Sequence, residues 1–441
     1  MSETALVAGL GSSGTAVSRH LVARGTSVLA FDDDPGDASR RAAAELGVAL
    51  VERPDEAELA AMVERSHVVV PSPGVPRRHA VFRLAAELAV PVRSEVELAY
   101  RWSRHPIVAV TGTNGKTTVT ALITEMLAAS GLRAAAGGNI GVPLCDAVAG
   151  DVDLVVAEVS SFQLWWTDSF RPRVAVWLNL AEDHLDWHHD LEGYVAAKAR
   201  IWAHQEASDL AVVNADDRVV AQQAARVPGR VETFGIGARA DWRREGGDLW
   251  GPPGRLLAVS ELRRALPHDV TNALAASAAA LAAGGSLDGV RTALRTFGGL
   301  PHRLALVAEA GGVRWYDDSK ATNPHAALAG LSAFESVVLI AGGRNKGLDL
   351  GILVKGAERV RAVVALGEAG SEVEAAFAGR RPVTLALTMD DAVAAAAAEA
   401  RPGDTVLLSP GCASYDQYRS YAERGDDFVR AVRTLTGGAT A

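Results

Sequence analysis

Short β-branched and aliphatic runs, each followed by residues at helical spacing, recur along the whole chain, which is the signature of parallel α/β sheets. They fall into three series. The first comprises Ala5–Ala8, Val28–Phe31 and Val68–Val70. The second comprises Ile107–Val110, Leu154–Ala157, Val174–Leu178 and Leu210–Val213. The third comprises Val313–Tyr316, Val337–Ile340, Ala362–Leu366, Val383–Leu387 and Thr405–Leu408. Between the last two series the pattern changes. Arg239–Arg255, rich in Arg, Gly and Pro, reads as a β-hairpin or surface excursion, and Asp269–Ala283 as an Ala-rich helix. Gly298-Gly299-Leu300-Pro301 is turn chemistry suited to a hinge. The expectation is an α/β protein of three domains, 1–98, 99–300 and 301–441, without internal repeats and ordered to about Gly437.

Composition narrows the class. A chain of 441 residues fits about three domains of roughly 150. Its net charge of −9 argues against a dedicated nucleic-acid or anionic-membrane binder. Two cysteines, Cys145 and Cys412, cannot build a disulfide framework and fit a reducing cytoplasm. The N-terminus has no basic n-region, and no apolar run approaches the roughly 18 residues of a membrane span. Ala392–Ala400 reads as an ordinary helix. A soluble, globular, cytoplasmic chain is expected, with a monomer as the default state. The basic residues divide unevenly, into 39 arginines and only five lysines, Lys116, Lys198, Lys320, Lys346 and Lys355. Where solvated basic positions are filled by Arg, a surviving Lys marks a place where guanidinium cannot substitute. The five lysines are therefore a search list.

The first strand ends in Gly9-Leu10-Gly11-Ser12-Ser13-Gly14 and opens a helix, the G-x-G-x-x-G context that brings backbone up to a phosphate. The second ends in Asp32 and Asp33, carboxylates placed to meet a ribose or base, and the third in Ser72-Pro73-Gly74. Alone, this reads as a dinucleotide dehydrogenase or as a tight turn without ligand. Three or four strands before the next glycine loop, however, make one mononucleotide half, not a pair.

The second series opens with Gly112-Thr113-Asn114-Gly115-Lys116-Thr117-Thr118 between a strand and a helix. Backbone amides there would cradle phosphate, Lys116 would neutralise β/γ oxygens, and Thr117 would hold Mg²⁺. Glu158 ends the next strand, a natural Mg²⁺ partner. His184 lies at another strand end, in a polar loop where His188 and His189 read as solvated residues. Lys198 stands on a helix, where a lysine is ordinarily a surface residue. The third series supplies Pro301-His302-Arg303, Asp317-to-Asn323, Gly342-to-Gly347 and Ser409-to-Gln417. These small residues with one cation suit an anionic substrate.

Thr111-to-Thr118, Glu158-to-Leu164, Asp183-His184, Lys198, His268-to-Asn272, Arg303, Asp317-to-Asn323 and Ser409-to-Gln417 together resemble the Mur ligases. These are ATP-dependent enzymes that add amino acids to the peptidoglycan precursor, on which cell shape and division depend. Ser160-Ser161-Phe162-Gln163-Leu164, Ser409-to-Gln417 and the Gly9 loop resemble specifically the member joining D-glutamate to UDP-N-acetylmuramoyl-L-alanine. The resemblance implies a Rossmann-like UDP-binding domain, a central P-loop domain and a Rossmann-like C-terminal domain. It also implies an acyl-phosphate reaction using ATP and two Mg²⁺ ions, with no nucleic acid and no membrane insertion.

By the same resemblance, Gly112–Thr118 with Asn272, Arg303 and Asp318 would contact ATP. Thr117 and Glu158 would hold one metal ion, and His184 with carbamylated Lys198 the second. Lys116, Lys198 and His184 would be catalytic. Ser12, Ser13, Asp32, Asp33, Ser72, Pro73, Gly74 and Asn139 would hold the UDP-sugar, and Thr322, Lys346, Ser414 and Tyr421 would receive D-glutamate. Carbamylation requires a neutral amine, a form that only about one lysine in a thousand takes at pH 7.4 unless burial lowers its pKa. Three positions depart from the family pattern: Asp269 replaces an Asn, Tyr421 a Phe, and Trp165-Trp166 stand where a charged residue is expected. A folate polyglutamate ligase would share the central logic without needing the Gly9 domain. A non-catalytic nucleotide-binding regulator would share the loops without turnover.

Overall fold

A computed structural model describes residues 3–237 and 239–437. The α/β expectation holds, in three separate sheets. The first is parallel and four-stranded, in the order Ala49–Glu52, Ser27–Asp32, Thr4–Ala8, Val68–Pro71. Its size is that of a single mononucleotide-binding half.

The second sheet has nine strands. Strand Ile107–Thr111 lies between Leu154–Glu158 and Val174–Trp177, with Ala134–Gly138 beyond the former and Leu210–Asn214 and Arg230–Gly235 beyond the latter. These pairings are parallel. Register sets Val110 beside Glu158 and Thr111 beside Trp177. The P-loop, Glu158 and the chain after Trp177 therefore leave the sheet along one edge, where open α/β sheets bind ligands. Trp242–Glu245 joins Arg230–Gly235 in parallel and forms an antiparallel meander with Asp248–Gly251 and Gly254–Ala258, which runs three residues past the stretch read as a hairpin. The Ala-rich helix runs Pro267–Ala282.

The third sheet runs Ala305–Ala310, Val313–Asp317, Thr405–Gly411, Val337–Gly342, Val360–Leu366, Val383–Ala386. Only its first pair is antiparallel.

Four strands escaped the hydrophobic pattern. Ala134–Gly138 contains only Ala and Gly, which propensity assigns to helix or turn. It is a strand because bulk is forbidden there. A Cβ on Gly138, at φ +100°, would lie 2.3 Å from the Glu158 carbonyl. Ala305–Ala310 is set by Gly311 and Gly312, both at positive φ, which turn the chain into a hairpin. Ala49–Glu52 and Arg230–Gly235 carry too much exposed or polar surface to stand out. Lys355, read as an ordinary helix residue, is exposed on a 3-10 stretch, Leu350–Arg359.

The chain forms two compact units. One runs to Ala265 and includes Asp269–Phe297; the other comprises Leu266–His268 and the chain from Gly298 onward. The first unit holds two sheets over one continuous core, in which Val7 and Val70 of the first sheet share a cluster with Ala109, Ala157 and Trp177 of the second. Leu98, near which a boundary was expected, lies inside helix Glu95–Trp102. That helix carries a buried tie. The Glu97 carboxylate accepts the Asp168 and Ser169 amides and the Ser169 hydroxyl, and pairs with Arg101 at 2.7 Å. Burial works against the Glu97 anion, but these donors together hold its pKa below the usual carboxylate range. Among the described residues no helix is long and apolar enough to cross a membrane.

Removing the carboxylate in Glu97→Ala leaves buried donors without an acceptor, a loss of about 3 kcal/mol. The unfolding midpoint, followed by circular dichroism, is expected to fall by roughly 5 °C. An unchanged midpoint would refute the tie.

Candidate active site

In the first unit the site begins at the loop after Ile107–Thr111. Gly115 takes φ +83° and caps helix Lys116–Ala129. A Cβ there would lie 3.0 Å from Asn272 Oδ1, so the glycine lets Asn272 rest against the loop. The loop is held by its neighbours. The Asn114 amide donates to Asn179 Oδ1 at 2.8 Å, and Asn179 Nδ2 donates back to the Asn114 carbonyl at 3.1 Å. Thr113 Oγ1 lies 3.2 Å from the Ala181 carbonyl and 3.2 Å from the Tyr194 hydroxyl.

Two amines meet at one oxygen. Lys116 Nζ donates to the carbonyls of Gly112 and Thr113, both at 2.9 Å, and Lys198 Nζ donates to the same Gly112 carbonyl at 2.8 Å. Lys198 is a buried residue, only 1 % exposed, not the surface residue its helix suggests. Burial, then the Lys116 charge, pushes its pKa well below the usual lysine value, while Asp183 and Glu158 act the other way. The neutral amine that carbamylation requires is thus favoured.

Glu158 is buried beside them. Its Oε1 accepts from Asn139 Nδ2 at 2.8 Å, while Oε2 has no hydrogen-bond partner. A buried carboxylate oxygen without a donor among the described residues is costly unless a cation completes it. His184 takes φ +55°, and its amide donates to Asp183 Oδ1 at 3.0 Å. The Thr117 hydroxyl, at the start of helix Lys116–Ala129, and the Glu158 carboxylate, at the end of its strand, are the oxygen donors that suit a hard divalent cation.

His188 corrects the sequence reading. It is 1 % exposed, not solvated, with Nε2 2.9 Å from Ser161 Oγ; burial pushes its pKa down to about 3. Its neighbour His189 is exposed as expected. The reason is the short helix Leu185–His188, which turns the fourth residue after His184 inward.

The glycine loop of the first sheet is braced by the residues around it. Asp32 Oδ2 accepts the Leu10 amide at 2.9 Å, Oδ1 accepts the Asp34 amide at 3.1 Å, and Ser72 Oγ donates to the Gly9 carbonyl at 2.7 Å. Asp33 is the more accessible acid, 3.1 Å from His79. Ser12 and Ser13 open helix Ser12–Ala23, and Pro73 and Gly74 follow Ser72 on the facing loop. Trp165 and Trp166, unexplained by sequence, pack here. Arg77 lies 4.0 Å over the Trp165 ring, and Trp166 stacks on Phe82 at 4.7 Å.

In the second unit, Asp317-to-Asn323 and Ser409-to-Gln417 converge on a residue the sequence reading missed. Arg424 is buried, and its guanidinium spends all its donors on neutral oxygens: Ser319 Oγ and the carbonyls of Ser319, Cys412 and Ala413, at 2.8–3.3 Å. Burial pushes its pKa down to about 10, against Asp416. One arginine among 39, Arg424 carried no signal in the sequence. Ser319 Oγ in turn donates to the Tyr421 carbonyl at 2.7 Å, and Lys320 Nζ lies 3.8 Å over the Tyr421 ring. Ser414 is buried on the same loop system, whereas Lys346 is exposed. Thr322 is half-buried. Asp318 is buried under helix Pro324–Leu331, accepting from Ser409 Oγ at 2.8 Å and the Leu304 amide at 3.3 Å. Burial raises its pKa to about 7, against the Ser409 hydroxyl.

His302, next to Arg303, takes φ +60° with Nδ1 2.6 Å from Asp317 Oδ2. That hydrogen bond raises its pKa, with burial opposing. The stabilisation is therefore fully present below the unfolded value of about 6.5 and is lost as pH rises through the folded value. His302→Gln is expected to lower the melting temperature more at pH 6 than at pH 9. Equal losses at both would count against the charged pair.

Comparison with known proteins places the chain in a family. The Mur ligase middle-domain family model matches residues 110–280, and that of the Mur ligase glutamate ligase domain matches residues 302–412. UDP-N-acetylmuramoylalanine–D-glutamate ligase of Frankia casuarinae is 47% identical over 98% of this chain and 94% of its own. Among solved structures, UDP-N-acetylmuramate–alanine ligase of Thermotoga maritima aligns with a TM-score of 0.60 at 19% identity, covering 99% of this chain and 100% of that one. FolC of E. coli, in a complex with ADP, aligns at 0.56 and 20% identity over 83% and 99%. The latter two show the shared fold. With relatives of this identity matched from end to end, the chain belongs to the Mur ligase family, in the group of the UDP-N-acetylmuramoylalanine–D-glutamate ligases.

Proposed function

We propose that the chain joins D-glutamate to UDP-N-acetylmuramoyl-L-alanine, consuming ATP and releasing ADP and phosphate, in cytoplasmic peptidoglycan precursor synthesis. The carrying observation is the pair of amines on Gly112 beside a buried carboxylate oxygen without a donor. Such an arrangement is costly until a polyphosphate and cations enter it. A substrate carboxylate oxygen attacks the γ-phosphorus, the bond to ADP breaks, and an acyl phosphate forms. The D-glutamate amine then attacks the acyl carbon, loses a proton, and phosphate departs with the bonding electrons.

The residues divide this work. Lys116 releases the loop carbonyls and turns to the β/γ oxygens, while the amides of Gly112–Thr118 cradle phosphate. Thr117 and Glu158 would hold one Mg²⁺, and His184 with carbamylated Lys198 a second. Two such ions offset the repulsion between carboxylate and γ-phosphate when bound. In carbamylation the neutral Lys198 nitrogen forms a bond to CO₂ and its proton leaves to solvent.

Asn272 is assigned to adenine, and Arg303 and Asp318 to phosphate and ribose. Ser12, Ser13, Asp33, Ser72, Pro73, Gly74 and Asn139 are assigned to the UDP-sugar, with Asp32 acting by shaping the Gly9 loop. Thr322, Lys346, Ser414 and Tyr421 receive D-glutamate on loops that Arg424 holds. A monomer is the proposed state.

Phosphate release with ATP, Mg²⁺ and UDP-N-acetylmuramoyl-L-alanine is expected with D-glutamate but not with L-glutamate, L-lysine or meso-diaminopimelate. Release with one of those three and none with D-glutamate would overturn the assignment. Lys198→Arg keeps a cation but cannot carry a carbamate, so its turnover is expected to fall at least a hundredfold. Near-normal turnover would sink the carbamate.

A further inference from the structure

His184 lies in the left-handed region that non-glycine residues rarely adopt, a conformation costing on the order of 1 kcal/mol and kept only where the surroundings enforce it. The helix after it, Leu185–His188, has four residues and cannot stand alone. Two anchors hold it. His188 reaches Ser161 of the turn that follows Glu158. Trp187 reaches the other way, its indole N–H donating at 3.3 Å to the carbonyl of Val75, on the loop after Val68–Pro71 of the first sheet. Phe162 fills the space between, with ring centroids 4.7 Å from His184 and 5.1 Å from Trp187. Trp165 meets Trp187 edge-on at 6.0 Å under the Arg77 guanidinium, so the same loop is clamped at two points.

We propose that Trp187 is a positioning residue that couples the Ser72–Arg77 loop to His184. The inference rests on the proposed function, in which that loop receives the UDP-sugar and His184 a metal ion. Trp187 needs no contact with substrate. Its ring packs against Phe162 and thereby sets His184, and its N–H makes the position of that ring depend on the Val75 carbonyl. A shift of the loop on binding the nucleotide moves the indole, and the His184 backbone follows because the Trp187 and His188 amides both donate to its carbonyl, at 3.1 and 3.0 Å. By linkage, His184 held by its ligand favours the same loop position. Phenylalanine at 187 would keep most of the packing and lose only the tether.

Two measurements test the coupling. The first uses the metal-free protein with ¹⁵N-labelled indoles. Of nine tryptophan N–H signals, the one absent from Trp187→Phe is that of Trp187, and it is expected to shift on adding UDP. A signal unmoved at saturating UDP overturns the proposal. The second is a double-mutant cycle on kcat. Trp187→Phe is expected to lower kcat about tenfold with the D-glutamate KM unchanged, and to cause no further loss in a His184→Ala background. Losses that multiply show that Trp187 does not act through His184. Should Trp187→Phe not fold, the same cycle with Arg77→Ala decides, a severalfold loss that again vanishes in His184→Ala. Absence of wild-type turnover would instead remove the ligase reading itself.

Discussion

Two lysine amines sharing one backbone carbonyl is the constraint around which the first unit is built. Lys116 and Lys198 come from different helices, and like charges at that distance repel strongly where water is excluded. The fold tolerates the pair by burying Lys198, which disfavours its charged form, and by surrounding both amines with acceptors. Strand order makes this possible. With Ile107–Thr111 central, Glu158 arrives from one neighbour and Asn179, Ala181 and Asp183 from the other. A sheet with the phosphate loop at its edge could supply only one of these flanks.

The second unit solves a related problem differently. Arg424 is buried with its five hydrogen bonds all going to neutral oxygens, and Asp416 and Asp317 act on its charge only through space. Guanidinium suits this because its donors are fixed in a plane and its charge survives burial, whereas an amine would surrender its proton. Lys198 and Arg424 show the two outcomes side by side: burial pushes the amine well below its ordinary pKa, whereas the guanidinium still sits at about 10.

What could be read from the sequence followed chemistry that is local in the chain. β-branched runs mark the buried central strands, where both faces of the sheet are covered. They fail at Ala134–Gly138, whose identity depends on Glu158 lying across from it. Lysine scarcity pointed to Lys116 and Lys198, because a rare residue type carries information that a common one does not. The same bias hid Arg424. His188 was misread because its burial comes from Ser161 and Phe162, 27 and 26 positions away, and Trp165 and Trp166 had no reading because their partners are Arg77 and Phe82. Asp32 was read as a ligand-facing acid; that its carboxylate also accepts the Leu10 and Asp34 amides and so braces the Gly9 loop had no local signal.

The continuous core of the first unit bears on how such a protein can be taken apart and recombined. The chain passes from one sheet to the next through a helix whose Ser94, Glu95 and Glu97 bond to Trp166, Cys145 and Ser169. A cut at that helix would strip apolar surface from both halves at once. The four-stranded sheet is therefore not a detachable cassette. Exchanging it between relatives means exchanging the helix and the aromatic seam of residues 162–188 with it, so that the recombinable block is defined by shared packing, not by the number of sheets.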